Sequence, residues 1–285
     1  MRGRCAMKKI LIASTIAAAG TFAMPALADE TMTKSDVDFF YAEIEGGYAF
    51  FDGVELVGPT ATLEPEGGAY GTVTLGHVSI DDGIIGGYVD RAELWVSYFD
   101  NGDDSASGGG VSATIERDYW DIGVRFQHYY DQNATDKMMW GLEPFILLGS
   151  ASVVQTGILN ARAEGDTTLY GAMLSFESEH MIAPSTMLLL RAAGGVYGSS
   201  ADIAGTGGLV FNDSNTSAGF RGQLAVGLKQ QLTPRTSIGA TARLDYFSDM
   251  PSTDPATGHQ TLTTDELLNV SVGVNLTYIF GGTYQ

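Results

Sequence analysis

The sequence has little of three things: cysteine, basic side chains and long apolar runs. Its single cysteine, Cys5, lies near the N-terminus, so the rest of the chain has no thiol for a disulfide or a thiolate metal site. Only 15 of its 285 residues are Lys or Arg, against 34 Asp or Glu, which argues against nucleic-acid binding. No stretch after residue 28 approaches 18 consecutive apolar residues, so we expect no transmembrane helix.

The N-terminus has the pattern of a secretory signal. Four basic residues precede an apolar stretch over 10–19, and Ala26-Leu27-Ala28 offers a small-residue cleavage site. We predict a signal peptide over 1–28, with an uncleaved membrane anchor as the alternative. Its removal takes away four basic residues and no acidic one, which leaves 11 against 34 and a net charge near −23.

Near the C-terminus, residues 268–280 alternate between apolar and mostly polar side chains. Leu268, Val270, Val272 and their successors take one face, while Asn269 and Ser271 begin the other. Period-2 alternation is typical of a strand whose two faces meet different environments. A tilted strand crosses a bilayer with about 9–11 residues, so this strand is long enough to span a membrane.

Similar segments recur along the chain with a spacing of about 50 residues. We predict ten strands, near 40–51, 69–79, 88–99, 117–130, 138–151, 168–178, 187–198, 218–231, 237–247 and 267–280. Short turns join them near 80–87, 131–137, 179–186 and 232–236, and long Gly- and Asp-rich loops near 52–68, 100–116, 152–167, 199–217 and 248–266.

Short turns at one end and long loops at the other are typical of an outer-membrane barrel. We therefore predict an all-β fold, a transmembrane antiparallel up-and-down β-barrel over 39–285, preceded by a short periplasmic segment over 29–38. Eight or twelve strands also fit the pattern. A 50-residue repeat also fits a soluble β-propeller or sandwich, although a propeller blade needs four short strands where we count two long ones.

One face of the predicted strands is apolar, and the other carries charges. In a barrel the charged face points inward, where opposite charges should pair because unpaired buried charges are unfavourable. We predict a narrow lumen crossed by a charge network of thirteen residues: Glu43, Glu45, Arg91, Glu93, Asp121, Arg125, Glu143, Glu177, Arg191, Arg221, Lys229, Arg243 and Asp245. These charges either line a conducting path or merely brace the interior.

Aromatic residues form two bands that flank the aliphatic stretch, as in the girdles at the two membrane interfaces. The long-loop band comprises Tyr48, Phe50, Tyr98, Trp120, Tyr170, Tyr197, Phe220 and Tyr246, and the short-turn band Phe40, Tyr88, Tyr130, Trp140, Tyr278 and Phe280. Within the apolar belt, Pro144 cannot donate to a ladder, so we expect its strand to bend or bulge there.

With these features the chain resembles bacterial outer-membrane β-barrel proteins. The last strand is similar to the C-terminal assembly signal of that class, with Leu276, Tyr278 and Phe280 in place, although five residues follow Phe280. The segments 91–95, 118–121 and 141–145 resemble the Legionella-type major outer-membrane porins. The resemblance implies the cell outer membrane of a Gram-negative bacterium and passive passage of ions or small solutes, with lipid, lipopolysaccharide and the barrel-assembly machinery as partners.

The main alternative is a non-conducting adhesin or structural barrel, in which the long acidic loops contact a host or surface ligand. We expect no enzyme and no cofactor. The omptin surface proteases also have ten strands, but this chain lacks their Asp-x-His element, and only His259, near Asp254, is placed for surface chemistry. Asp100, Asp103 and Asp104 could hold Ca²⁺, but their spacing is not that of an EF-hand and a solvated acidic loop explains them more simply.

Overall fold

The structure, a computed structural model, describes residues 38–52, 55–57, 62–63, 67–80, 83–108, 111–132, 135–157, 160–207, 211–250, 261–263 and 266–283. The predicted signal peptide and nearly all of the predicted periplasmic segment lie outside these residues. Across the described ranges, no helix has the length and apolar character needed to cross a membrane.

The described residues form thirteen β-strands. In chain order they are β1 (Asp38–Asp52), β2 (Glu55–Val57), β3 (Thr62–Leu63), β4 (Gly67–Ser79), β5 (Arg91–Gly108), β6 (Val111–Gln132), β7 (Asp136–Thr156), β8 (Ala161–Ala183), β9 (Thr186–Gly207), β10 (Phe211–Thr233), β11 (Thr236–Ser248), β12 (Thr261–Thr263) and β13 (Glu266–Thr283).

Ten of these strands close into an antiparallel barrel, in the order β1-β13-β11-β10-β9-β8-β7-β6-β5-β4. β1 pairs with β4 on one side and with β13 on the other, where Ile44 lies opposite Leu276. The ten-strand barrel is therefore confirmed, and the propeller, the sandwich and the eight- or twelve-strand alternatives are wrong. The short strands β12, β2 and β3 form a separate sheet from the two connections that follow β1 and β11.

The burial pattern is the reverse of that of a soluble sandwich. Apolar side chains that point outward are exposed, such as Leu174 at 66% and Val196 at 70%, whereas polar side chains that point inward are buried, such as Glu143 at 0%. A soluble sheet keeps its apolar face in the core and its polar face in water. Here the apolar face covers the outside of the barrel, as a lipid-facing surface requires.

Three of the predicted long loops are wrong, because the strands continue through them. β5 and β6 stay paired up to Gly108 and Val111, and the β7–β8 and β9–β10 ladders likewise run far past the apolar belt. Their Gly, Ser and Asp content favours turns, but ladder hydrogen bonds between adjacent strands outweigh this weak local preference. The six strands β5–β10 therefore form a wall that rises above one side of the barrel.

The outer face of this wall is polar. Tyr98, Trp120 and Tyr170 are exposed at the upper edge of the apolar belt, and most outward positions beyond them are hydrophilic, including exposed Asp166 and Asp202, with Val154 an exception. Leu and Val suit hydrocarbon, whereas carboxylates require water or headgroups. The change along each strand marks the height at which the chain leaves the apolar layer.

Two local predictions need correction. Tyr197, assigned to the long-loop girdle, points inward and is 3% exposed, because its odd position on β9 shares the face of Arg191 rather than that of Val196. At Pro144 the β6–β7 register is the same on both sides, so no bulge forms. Instead, the β6–β7 ladder lacks two successive pairs, those of Val124 and Arg125, which agrees with the missing N–H of proline.

Candidate functional site

The interior of the barrel holds the candidate site, a cavity of about 140 Å³ inside the strands. Twelve of the thirteen charged residues named above line it, and Asp245 lies beside it in contact with Arg221. Among the described residues, the lining comprises seven carboxylates and six basic side chains: Glu43, Glu45, Glu93, Asp121, Glu143, Glu177 and Glu179, with Arg91, Arg125, Arg191, Arg221, Lys229 and Arg243.

Glu143 on β7 lies at the centre of the largest charge cluster. Arg125 on the neighbouring β6 donates from Nε to its Oε1 at 2.9 Å, and Arg191 on β9 donates from Nη2 to its Oε2. Arg125 also donates from Nη1 to Glu93. One fully buried carboxylate thus joins three strands, and both of its oxygens accept charge-assisted bonds, which are stronger than neutral ones.

Arg91 on β5 extends this cluster toward the short-turn end. Its Nε donates to Glu93 Oε1 at 2.8 Å, and its Nη1 donates to Glu177 Oε1 at 3.0 Å and to Glu179 Oε1 at 3.4 Å. The Tyr41 hydroxyl donates to the same Glu93 carboxylate. Glu177 and Glu179 belong to β8, so Arg91 reaches past two intervening strands and braces the lumen from within.

A second group lies along β10, β11 and β1. Lys229 Nζ is 2.9 Å from Glu43 Oε2, and Arg243 Nη2 is 3.5 Å from Glu45 Oε1. Tyr70 donates its hydroxyl to Glu45 at 2.8 Å. Each cation here faces one carboxylate, so the charges balance locally and need no further counter-ion.

Arg221 on β10 forms the third group. Its Nη2 is 2.6 Å from Asp121 Oδ2 and 3.2 Å from Asp245 Oδ1. Its guanidinium also lies 4.6 Å from the ring centroid of Phe145 and 4.9 Å from that of Phe247. A weakly hydrated, planar guanidinium suits both kinds of contact, so this arginine connects the charge network with the rings above it.

Those rings belong to a buried apolar cluster, which we call the plug. The plug fills the lumen at the end of the barrel that carries the wall. It comprises Ala49, Phe51, Tyr70, Phe99, Tyr119, Phe145, Leu147, Leu169, Met173, Tyr197, Phe247, Met250 and Leu267. Phe99 stacks between two tyrosines, with ring centroids 5.3 Å from Tyr70 and 4.5 Å from Tyr119. Packed rings of this kind leave no space for hydrated solutes in the part of the lumen that they fill.

Polar contacts hold the plug across the lumen. Asn269 on β13 donates from Nδ2 to the Tyr119 hydroxyl on β6 at 2.8 Å, and these strands lie four places apart around the barrel. Arg221 reaches Asp121 on β6 from β10, which is also four places away. Bonds that cross a ten-strand barrel in this way tie opposite walls together.

Our sequence analysis missed the plug and Glu179. A signal for the plug was present, because apolar residues are adjacent in sequence at the hairpin ends of the strands, as in Phe50-Phe51, Tyr98-Phe99, Tyr119-Trp120 and 145–148. Neighbouring positions on a strand point to opposite faces. Two apolar neighbours therefore indicate an apolar interior as well as an apolar exterior at that height.

The other candidate sites remain without support in the structure. Asp100 accepts from the Gly102 N–H at 3.0 Å and Asp104 from the Ser105 N–H at 2.7 Å, which are local contacts within β5. Within the described ranges, no group of three or more His, Cys, Asp or Glu is arranged to hold a metal ion. His259 and Asp254 lie outside the described residues.

No protein-family model matches this sequence, and no curated protein matches it significantly. Solved structures do match the fold. The outer membrane protease OmpT from Escherichia coli is 10% identical, with a TM-score of 0.56 over 88% of this chain and 99% of that chain. The translocator domain of the autotransporter NalP from Neisseria meningitidis is 13% identical, with a TM-score of 0.44 over 96% of this chain and 94% of that chain. The chain therefore has the fold of bacterial outer-membrane β-barrels.

Proposed function

We propose that the protein is a closed outer-membrane barrel that displays its hairpin wall outside the cell and conducts no solutes in its resting state. The observation that carries this proposal is the plug, to which, among the described residues, nine of the ten barrel strands contribute a buried apolar side chain. An open pore needs a continuous polar path, as in the wide water-filled porins. Here the polar cavity ends at packed rings.

Placement in the outer membrane is supported by three independent features. The N-terminus has the composition of a secretory signal, the fold is that of outer-membrane barrels, and exposed Leu, Val and aromatic side chains cover the outside. The expected partners are the surrounding lipid and lipopolysaccharide, and the barrel-assembly machinery acting on β13. A host or surface ligand would meet the wall and the loops.

The alternative function is a porin-like passage for ions or small solutes, as the resemblance to Legionella-type porins implies. The observation in its favour is the charged cavity below the plug, which has room for several water molecules. This function would require the plug to be absent or displaced. We also propose that the protein is not an enzyme; its likeness to OmpT, at 10% identity, concerns the fold alone.

Single-channel recording in planar bilayers tests the proposal. The purified, folded protein is expected to give no current steps above the lipid leak, because the plug occupies the lumen. A porin of known conductance, reconstituted in the same lipid, serves as the positive control. Regular steps from the wild-type protein would contradict the closed state and support the porin-like alternative.

A further inference from the structure

Arg117 is the exception among the inward-facing basic side chains of the described residues. It shares the odd positions of β6 with inward Tyr119 and Asp121, and it makes no ion pair or hydrogen bond with a described residue. A charge that is partly withdrawn from water without a counter-ion is unfavourable. Each of the other inward basic side chains has a carboxylate within 4.0 Å: Arg91, Arg125, Lys137, Arg191, Arg221, Lys229 and Arg243.

The acidic neighbours of Arg117 in the chain do not supply this counter-ion. Glu116 and Asp118 occupy the alternate positions of β6 and therefore point to the outer face of the wall, where Glu116 is exposed. On the inner face, the next side chains along β6 are Ile115 and Tyr119, which are 0% and 4% exposed. The guanidinium thus starts between two buried side chains, and this burial lowers the pKa of Arg117.

The backbone of β5 opposite Arg117 is irregular. The ladder pairs Asp100 and then Asp103 with the positions on either side of Arg117, so two residues of β5, 101 and 102, lie opposite it. Gly102 has a φ of 71°, in the left-handed region that favours glycine, and its N–H donates to Asp100 Oδ1 at 3.0 Å. Such bulges redirect neighbouring side chains and are frequent beside functional sites.

Small residues line the inner face on the other side of Arg117. The ladder places Ala151 of β7 directly beside it, and Gly165 of β8 beside Ala151. Gly149 lies one inward position lower on β7, where an added Cβ atom would be 3.7 Å from that of Tyr119, an ordinary contact. These positions leave space next to the guanidinium, which is itself partly exposed.

From this geometry we propose that Arg117 anchors a binding site for the carboxylate of a ligand from outside the cell, on the inner face of the wall directly above the plug. This inference rests on the proposed display of the wall outside the cell, and it gives the surface ligand a charge and a position. A guanidinium binds a carboxylate through two parallel N–H···O bonds, so the ligand would supply the counter-ion that Arg117 lacks.

The surroundings of Arg117 define the chemistry of this ligand. Arg117 supplies one positive charge, and the outer face of the wall behind it is acidic, with Glu116 and Asp118 on the same strand. One guanidinium balances a monoanion, whereas a phosphate dianion would meet an excess of negative charge. Ala151 and Gly165 present apolar surface rather than side-chain donors, so a compact apolar body behind the carboxylate fits them.

Equilibrium dialysis of radiolabelled benzoate, a carboxylate on a compact apolar ring, tests the site. The folded barrel is held in lipid nanodiscs, and empty nanodiscs correct for uptake by lipid. The wild-type protein should bind benzoate saturably. Arg117→Gln should weaken binding by about tenfold to a hundredfold, because it removes the charged hydrogen-bond donors, and Arg117→Lys should weaken it less. The matched control is Arg162→Gln, which removes the outward partner of Glu164 and should leave binding unchanged.

Urea unfolding distinguishes a ligand site from a structural role. Because Arg117 has no carboxylate to lose, Arg117→Gln should unfold without benzoate at no lower urea concentration than wild type, and benzoate should raise the midpoint of wild type but not of the variant. A lower midpoint for the variant, no saturable binding by wild type, or equal binding by both would overturn the site.

Inorganic phosphate tests the assignment to a monoanion. At a concentration equal to that of benzoate, it should leave most of the benzoate bound, and displacement of most of the benzoate would overturn the assignment. All these measurements use the purified barrel and depend neither on its conductance nor on its orientation in cells. Current from the wild-type protein would instead contradict the proposed closed state, so the two failures are distinguishable.

Discussion

At the scale of single residues, the interior shows how a barrel keeps ionised side chains out of water. Glu143 has no exposed surface, yet it satisfies the two arginines that face it from β6 and β9. Removal of the Glu143 charge leaves both guanidiniums buried with fewer carboxylates, because among the described residues Arg125 retains Glu93 but Arg191 retains only Glu177, 4.0 Å away. The same change in an exposed pair leaves the remaining charge in water.

We therefore expect Glu143→Gln to lower the free energy of unfolding by about 3–5 kcal/mol. The matched control is Glu164→Gln on the wall, where Glu164 pairs with Arg162 at 2.6 Å and both side chains are more than half exposed. That change should lower the free energy of unfolding by less than about 1 kcal/mol. Urea unfolding of both variants in lipid vesicles measures the difference, and equal losses would show that the network does not stabilise the barrel.

At the scale of elements, the strands extend beyond the membrane only at the end of the barrel that carries the wall. β8 and β10 each contain 23 residues, whereas about 9–11 suffice to cross a bilayer. At the short-turn end, the ladders close with connections as tight as Pro184-Ser185 and Pro234-Arg235. The end that carries the wall should therefore be accessible from outside the cell, and the short-turn end should not.

An epitope tag tests this difference. Inserted between β5 and β6, at 109–110, the tag should bind antibody on intact cells, because the β5–β6 hairpin rises above the apolar belt. Inserted at Pro184-Ser185, between β8 and β9, it should bind only after the cells are permeabilised. Both insertions lie between consecutive strands and should leave the ladders intact. The opposite labelling pattern would invert the proposed orientation.

The barrel strands could be predicted from the sequence, whereas the wall could not. Alternation identified all ten barrel strands, since residues such as Leu268 to Phe280 leave little choice of face. The wall was missed because its Ser, Asp and Gly residues favour turns, and only pairing between distant strands makes them extended. The thirteen charged residues were picked out by their shared face. Which of them meet, as Arg221 meets Asp121 across the lumen, depends on barrel closure and has no local signal.

At the scale of the whole molecule, a continuous apolar belt encircles the barrel between the two aromatic bands. Tyr48, Tyr98, Trp120, Tyr170 and Phe220 are exposed at its upper edge. Phe40, Tyr130, Trp140, Tyr278 and Phe280 are exposed at its lower edge. Rings at these two heights match the two interfaces of a bilayer, so the molecule has one height at which it fits the membrane.

A pair of substitutions on the outer face of β10 tests that fit. Leu224→Arg places a charge in the middle of the belt, where Leu224 is 57% exposed, and should destabilise the folded barrel in lipid by about 2–4 kcal/mol. Thr216→Arg lies on the same face of the same strand, above the belt, and should have almost no effect. Folding equilibria in vesicles give both values. A similar effect at the two positions would mean that lipid does not surround the belt.

The abrupt change of outer surface within unbroken strands constrains how the protein can move in its surroundings. If the barrel sank, the carboxylates of Asp118, Asp166 and Asp202 would enter hydrocarbon; if it rose, the aliphatic rows beneath Trp120 and Tyr170 would enter water. Either displacement is resisted by several strands at once, because the change occurs at a common height around the wall. The change from apolar to polar outer surface thus fixes the depth of the barrel in the bilayer, and a bilayer of different thickness would have to adapt to the barrel.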